Sequence, residues 1–325
     1  GFSAEIPIFK KGSAIVNFRK SRPSNQFSKV YKSIEKYMTV DNKFNLITET
    51  GEENINQSTE YDLFSSYEDF FNRFSYLINS KHRITFTLIS SKDFIFEDRS
   101  YYGFSNILES DTAYIEEKNS FKNLGQSINF YSQWNNKYST HLSISSYSYK
   151  NNYFSIQSSP RSNNSSIIGT ANKFHSLSDH SIRFIQQYRN MKNHNLSIGF
   201  EETYFSTHFK NKNTENSSLN NSFMIQNGYL YSFFFINSWS VQNNWKFDTG
   251  IRYSYFDNLD KLYFEPRIAI KYKIRQNLSL ELSYGEHNQF IHKLEKGNNS
   301  NFNINSRFLS SSKIPTILSK NFQSG

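Results

Sequence analysis

The 325-residue chain contains no cysteine and is poor in glycine (12), proline (5), methionine (3) and tryptophan (3). Without thiols there is no disulfide scaffold, no zinc–cysteine centre and no cysteine nucleophile. So little Gly and Pro excludes collagen-like or proline-rich linker material. No apolar run approaches the roughly 18 to 20 residues that a membrane helix needs, so any spanning structure has to be a closed β-barrel. Gly1 is followed by neither a basic n-region nor an apolar h-region, so the sequence shows no signal peptide: either the protein is cytoplasmic or its natural start lies upstream. The motifs G-x-S-x-G, H-E-x-x-H and G-x-G-x-x-G are missing, and with them the catalytic and phosphate-cradling classes they mark.

What is present points to strands. Aromatics reach 18%, far above a disordered chain, while hydrophobic residues make up only 36% and Ser plus Asn supply about a quarter. The 37 Lys and Arg against 28 Asp and Glu leave a net charge of +9, scattered along the chain and not gathered into a stripe, so nucleic acid is not an expected partner. Near the C-terminal end Phe264, Pro266, Ile268, Ile270, Tyr272 and Ile274 alternate with Glu265, Arg267, Ala269, Lys271 and Lys273, and after Arg275-Gln276-Asn277 the alternation resumes from Leu278 to Gly285. Such period two predicts a long hairpin. A three-residue loop would pair Lys271 with Glu281, Tyr272 with Leu280, Ile270 with Leu282 and Ile274 with Leu278, with Asn277 in the left-handed region.

Five further pairs read the same way: Phe2–Ile8 with Ala14–Phe18, Phe70–Ile78 with Ile84–Ser91, Leu124–Trp134 with Thr140–Tyr149, Ser181–Tyr188 with Leu196–Phe205, and Tyr229–Asn237 with Trp245–Tyr255. That makes about twelve strands. Connectors within pairs are short, whereas those between pairs are mostly long: Lys20–Ser66, Lys92–Lys118, Lys150–Phe174, Ser206–Asn221 and His287 onward. Short turns opposite long loops, strands of nine to twelve residues, and aromatics at both strand ends fit a transmembrane barrel better than a soluble sandwich. The expected girdles are Trp134, Tyr188 and Trp245 at the short turns and Tyr149, Tyr255, Phe256 and Tyr284 at the long loops.

Charge assigns the faces. Arg252, Glu265, Arg267, Lys271, Lys273 and Glu281 share one face, which has to line the lumen because a charge at mid-bilayer costs about 2 to 4 kcal/mol. There they meet substrate or plug, or pair with each other across strands. Segment 93–118, with seven acids against two bases, reads as a solvated loop that repels anions or binds a cation. His287 and His292 stand at the mouth of a long loop, where they could meet a metal chelate, although their spacing is not that of a helix-face metal pair.

The stretch Tyr263-Phe264-Glu265-Pro266-Arg267-Ile268, the hairpin through Ser283-Tyr284-Gly285, and Asn288-Gln289-Phe290-Ile291-His292 resembles the barrel of TonB-dependent outer-membrane receptors, in which F-E-P-R, L-S-L-x-x-S-Y and N-Q-(aromatic or aliphatic)-I-H recur in this order. Gly1–Ile8 with Lys11-Gly12-Ser13, and Leu177–Ile182, are weaker echoes. The resemblance implies a 22-stranded barrel with an N-terminal plug. Residues 1–325 then make a partial outer-membrane β-barrel domain, about ten strands short, with no plug and no energy-coupling box before Gly1. It also implies a receptor and transporter, not an enzyme, in the outer membrane of a Gram-negative bacterium. The nutrient expected is an iron-siderophore, cobalamin or oligosaccharide. Implied partners are outer-membrane lipid, the nutrient itself, the TonB energising complex acting through the plug and, as a further candidate, a surface lipoprotein; neither cofactor nor resident metal is expected. The candidate substrate-binding residues are Arg252, Arg267, His287 and His292. A passive porin or structural adhesin would share barrel, girdles and loops but need no plug. An outer-membrane hydrolase would need a Ser, His and acid set that the sequence does not assemble.

Overall fold

Backbone pairing that continues beyond the alternating stretches produces very long strands here. The structure, a computed structural model, describes residues 1–21, 43–48, 51–56, 58–105, 108–161, 164–191, 193–215, 218–241, 244–296 and 304–325. The chain opens with β1 (Phe2–Ile8) and β2 (Gly12–Lys20), and β3 (Lys43–Thr48) with β4 (Gly51–Asn56) forms a small separate hairpin. Seven strands of 22 to 28 residues follow: β5 (Ser58–Asn79), β6 (His82–Ser105), β7 (Leu108–Gln133), β8 (Tyr138–Arg161), β9 (Asn164–Met191), β10 (His194–Glu215) and β11 (Ser218–Val241). Then come β12 (Trp245–Phe256), β13 (Lys261–Arg275) and β14 (Leu278–Gln289), a second small hairpin of β15 (Ile291–Lys296) and β16 (Ile304–Leu309), and finally β17 (Ile317–Ser324).

One antiparallel sheet takes thirteen of these strands in the order β1, β2, β5 through β14, β17. The twelve strands expected from periodicity are all in it, and β17 is the thirteenth. Among the described residues β1 and β17 are the free edges.

The connectors Lys92–Lys118, Lys150–Phe174 and Ser206–Asn221 are not loops: strand pairing runs through them to within a few residues of each hairpin tip. Backbone pairing continues there although the side-chain alternation fades, because beyond a bilayer both faces of a hairpin meet polar surroundings and no longer need to differ. Segment 93–118 is therefore a strand pair, with Glu97 and Glu117 buried on its inner face and the Tyr153 hydroxyl donating to Glu117. Residues 22–42 of the first long connector, and Gln242 and Asn243 of a short turn, lie outside the described residues.

The two faces of the sheet differ as the charges require. On one, Phe86, Ile128, Ile144 and Ile182 stand directly across from one another on β6 to β9, and the three isoleucines remain 48 to 50% exposed. A continuous apolar row left this open fits contact with lipid. Aromatics border that face twice. Trp245 stacks with Phe247 and packs 4.3 Å from Tyr272, and Tyr138 packs on Tyr188, near the short turns. Tyr204, Tyr229, Tyr231 and Tyr255 form a chain of ring contacts at the other end. Tyr149 and Phe256, expected in that upper girdle, instead point inward and are buried; strand parity sets them on the opposite face from Ile144 and Tyr255.

In the last hairpin Lys271 pairs with Glu281, Tyr272 with Leu280 and Ile270 with Leu282. The turn differs: the register shifts between Lys273 and Arg275, so Arg275 and not Ile274 opposes Leu278. Asn277 is not left-handed; among the described residues the non-glycine positions with positive φ are Phe9, Asn193 and Asp260. Displacing Ile274 as a bulge tightens the turn without needing an unusual backbone at Asn277.

Candidate functional site

The inner face of β9 to β14 carries a ladder of charges. Glu201 on β10 lies 3.9 Å from Arg183 on β9 and 3.5 Å from Arg252 on β12, and Glu265 on β13 lies 3.8 Å from Arg252 and 3.9 Å from Arg267. Each carboxylate is shared by two guanidinium groups at distances longer than a hydrogen bond. The fixed bonds are elsewhere: Arg252 donates to Ser232 at 2.8 Å and to Ser254 at 3.3 Å, and Arg267 donates to Nδ1 of His287 at 3.0 Å. Arg183 lies over the Phe234 ring, 5.3 Å from its centroid. That ring occupies the space over Gly199, where an added Cβ would come within 2.2 Å of it.

Two sequence motifs meet in this ladder. Glu265 of the F-E-P-R segment accepts hydrogen bonds from both the backbone and the side-chain nitrogen of Asn288, at 2.7 and 3.2 Å, while Arg267 of the same segment reaches His287. The carboxylate thus holds the end of β14, where pairing with β13 has stopped at Gly285. Arg267 and Arg183 keep nearly half of their side-chain surface open, 46 and 47%. An arginine offers five donors in a rigid fork, so both retain capacity for an anionic or oxygen-rich group in the lumen.

Two residues along the strands, away from the short turns, the ladder gives way to apolar packing. Leu230, Phe256, Tyr263, Phe290 and Leu309 form a buried cluster, with Phe256 and Leu309 fully enclosed. Leu309 comes from the β15–β16 hairpin, which folds back over the inner face. Nε2 of His175 faces the amide and the carbonyl of the hairpin's Arg307 at 3.1 and 3.0 Å, the Leu309 amide donates to Gln226 at 3.0 Å, Phe308 meets Phe209, and the Arg307 guanidinium lies 4.8 Å over Tyr149. His175 is 1% exposed and its Nδ1 has no hydrogen-bond partner; burial holds its pKa below the ordinary histidine value, opposed by the hydrogen bond to the Arg307 backbone and aided by the Arg307 charge.

Of the four residues singled out by sequence, Arg252, Arg267 and His287 come together on the ladder. His292 does not join them: it sits on β15, buried, paired with the Ser310 hydroxyl at 2.7 Å, and burial lowers its pKa. Among the described residues no group of three metal-ligating side chains is assembled. The sequence reading passed over Arg183 and Glu201. Extending its own rule would have found them, since Ile182, Phe184, Ile198 and Phe200 face outward and leave the residues between them facing in.

The family model described as "TonB dependent receptor-like, beta-barrel" matches residues 43–290. The chain belongs to this family. Among solved structures, a variant of the ferric enterobactin receptor PfeA of Pseudomonas aeruginosa superposes with a TM-score of 0.52 at 11% identity, over 88% of this chain and 40% of that one. The RagAB peptide transporter gives 0.47 at 7% identity over 96% and 51%, and the outer membrane transporter YddB of Escherichia coli gives 0.41 at 11% over 88% and 44%. At these identities the likeness is one of fold, and of the three only the PfeA superposition carries weight. This TonB-dependent receptor-like barrel thus spans less than half the length of PfeA. No curated protein matches the chain.

Proposed function

We propose that this chain is part of the wall of an outer-membrane receptor that binds a scarce nutrient in its lumen and imports it by TonB-coupled transport in a Gram-negative bacterium. The observation that carries the reading is the ladder from Arg183 through Glu201, Arg252, Glu265 and Arg267 to His287, set on the inner face of a barrel of this receptor family. Three guanidinium groups against two carboxylates give that wall a cationic excess. It suits a ligand bearing carboxylate, catecholate or hydroxamate oxygens, so a ferric siderophore is favoured over cobalamin or a neutral oligosaccharide. PfeA, the solved structure with the similar fold, is a receptor for ferric enterobactin. Binding and release, not bond-making, is the proposed work. The plug, the rest of the wall and the contact with the energising complex would come from sequence beyond these residues.

The test is uptake by whole cells expressing the parent receptor, with a ferric tricatecholate, cobalamin and an oligosaccharide as labelled probes. Saturable uptake of the ferric chelate that stops when the proton gradient is collapsed supports the proposal. Linear, energy-independent entry would assign the chain to the porin class. Arg267→Ala should weaken chelate binding by about tenfold, the loss of one charge-assisted hydrogen bond.

A further inference from the structure

On the outer face Lys92, Lys122 and Lys150 are direct cross-strand neighbours, Lys92 opposite Lys122 and Lys122 opposite Lys150, and all three are exposed. Like charges set opposite each other on one face of a sheet repel, so the row as it stands is unfavourable. The row continues through Glu68 to Lys20, but Glu68 is already bonded to Lys20 at 2.5 Å, and Lys92 is only its minor electrostatic partner. Among the described residues Lys122 and Lys150 form no ion pair. Three ammonium groups therefore share a surface whose one cross-strand carboxylate, Glu68, is engaged by Lys20.

Their height on the sheet is informative. The lysines lie 10 to 12 residues along their strands from the short-turn ends at His82, Gln133 and Tyr138. At the usual rise and tilt that is about 25 Å, the height of a barrel's apolar band, so they stand where lipid headgroups of the outer leaflet begin. A groove of about 450 Å³ begins at the three lysines and Glu68 and runs toward the short turns over Leu124, Phe18 and Phe70, between the small Ser90 and Ser148. A second hollow of about 430 Å³ lies lower on the same strands, where Phe86, Ile128, Ile144 and Ile182 are joined by the polar Gln126, Ser146, His180 and Glu202. A cationic head, a polar neck and apolar side chains further down the same strands are complementary to an amphiphile with a multivalent anionic headgroup.

We propose that this face is a binding site for a phosphorylated lipid of the outer leaflet, with its phosphate held by Lys92, Lys122 and Lys150 and its acyl chains lying in the two hollows. A phosphate monoester carries nearly two negative charges and several acceptor oxygens, which a row of three lysines can share. The occupant is a lipid and not a free anion, because Leu124, Phe18 and Phe70 below the lysines add contacts that acyl chains can make and inorganic phosphate cannot. The inference depends on the lipid-facing assignment of this surface and is independent of the nutrient: chelate uptake and lipid retention can fail separately.

The experiment uses the parent receptor purified from membranes in a nonionic detergent. Bisphosphorylated lipid A, dephosphorylated lipid A and inorganic phosphate are the probes, and native mass spectrometry counts bound lipid. Bisphosphorylated lipid A should bind and the dephosphorylated form should not. Each lysine near an anionic surface contributes about fivefold, so the triple variant Lys92→Gln, Lys122→Gln, Lys150→Gln should lose about a hundredfold in affinity, and Lys122→Gln alone about fivefold. Replacement of all three by Arg should retain binding. Equal retention of both lipids, unchanged retention by the triple variant, or displacement of the lipid by equimolar phosphate would each overturn the proposal. If the triple variant does not fold, the single Lys122→Gln variant decides, and Lys271→Gln on the lumen face is the control that should change nothing.

Discussion

The lower part of the sheet, near the short turns, and its upper arms are made of the same strands yet hold together by different means. Below, each strand separates lipid from lumen, so Ile270 and Leu282 pair on one face while Lys271 and Glu281 pair on the other. Above, the contrast between faces is gone, and order depends on long-range contacts: Arg307 of the returning hairpin reaches His175, 132 residues earlier. Alternation in a sequence therefore reports a difference between two environments rather than the strand itself. Where the environments converge, the strand persists and the pattern does not.

The sharpest way to break this comparison is Phe256→Ala. The ring is fully buried, 5.2 Å from Phe290, beside Leu309. Removing a buried aromatic costs about 3 to 5 kcal/mol. The loss should fall on the upper region, so limited trypsin digestion of the parent receptor should open the hairpin at Lys293 and Arg307 while sites lower in the wall, such as Lys246, stay protected. Equal acceleration at all three positions would mean that the two regions unfold as one.

Next in size is the lipid face. Ile270→Lys should destabilise the barrel in liposomes by about 2 to 4 kcal/mol, whereas Ala269→Lys, one residue away and facing the lumen, should change urea unfolding by less than about 1 kcal/mol. Similar effects from both would refute the assignment of faces.

Much of this was legible in advance and some of it was not, for physical reasons. The pairing of Lys271 with Glu281 could be read because a slip by one residue would turn charges into the bilayer. The turn at Arg275–Asn277 was misread because its residues face no such contrast, and a bulge at Ile274 satisfies the backbone as well as a left-handed Asn277 would. Arg252 and Arg267 were placed on the inner face by alternation, in a stretch where the pattern is clean, whereas His287 was singled out only by its place at the mouth of a loop. The fold-back of His292 and its hairpin onto β8 to β11 was invisible, since local sequence does not specify which distant face a short hairpin will cover.

A smaller effect is expected from pH. Nε2 of His175 faces both the amide and the carbonyl of Arg307, at 3.1 and 3.0 Å, and burial holds its pKa in the folded protein below the unfolded value of about 6.5. A base with a depressed pKa contributes its stability above the unfolded value, and that contribution is lost as pH falls below about 6.5. The nearby Arg307 charge acts in the same direction. Trypsin cleavage at Arg307 should therefore speed up between pH 7 and pH 5.5, assayed by brief neutral pulses after acid incubation. In His175→Gln that dependence should disappear; its persistence would place the sensitivity elsewhere.

The smallest effect tests the lower wall in its most exposed pair. Lys271 and Glu281 stand opposite each other, 3.4 Å apart, with side chains 49 and 53% exposed. Water competes for both groups, so a double-mutant cycle with Lys271→Gln and Glu281→Gln should give a coupling near the low end of the cross-strand range, about 0.2 to 0.5 kcal/mol, and it should shrink in high salt. That weakness is consistent with the register being firmly set. What fixes the pairing is the penalty for turning either charge toward lipid, several times larger than their mutual attraction. A coupling above about 1 kcal/mol would contradict this, because the attraction alone would then be strong enough to hold the register, and the lower wall would be ordered by specific contacts as the upper arms are.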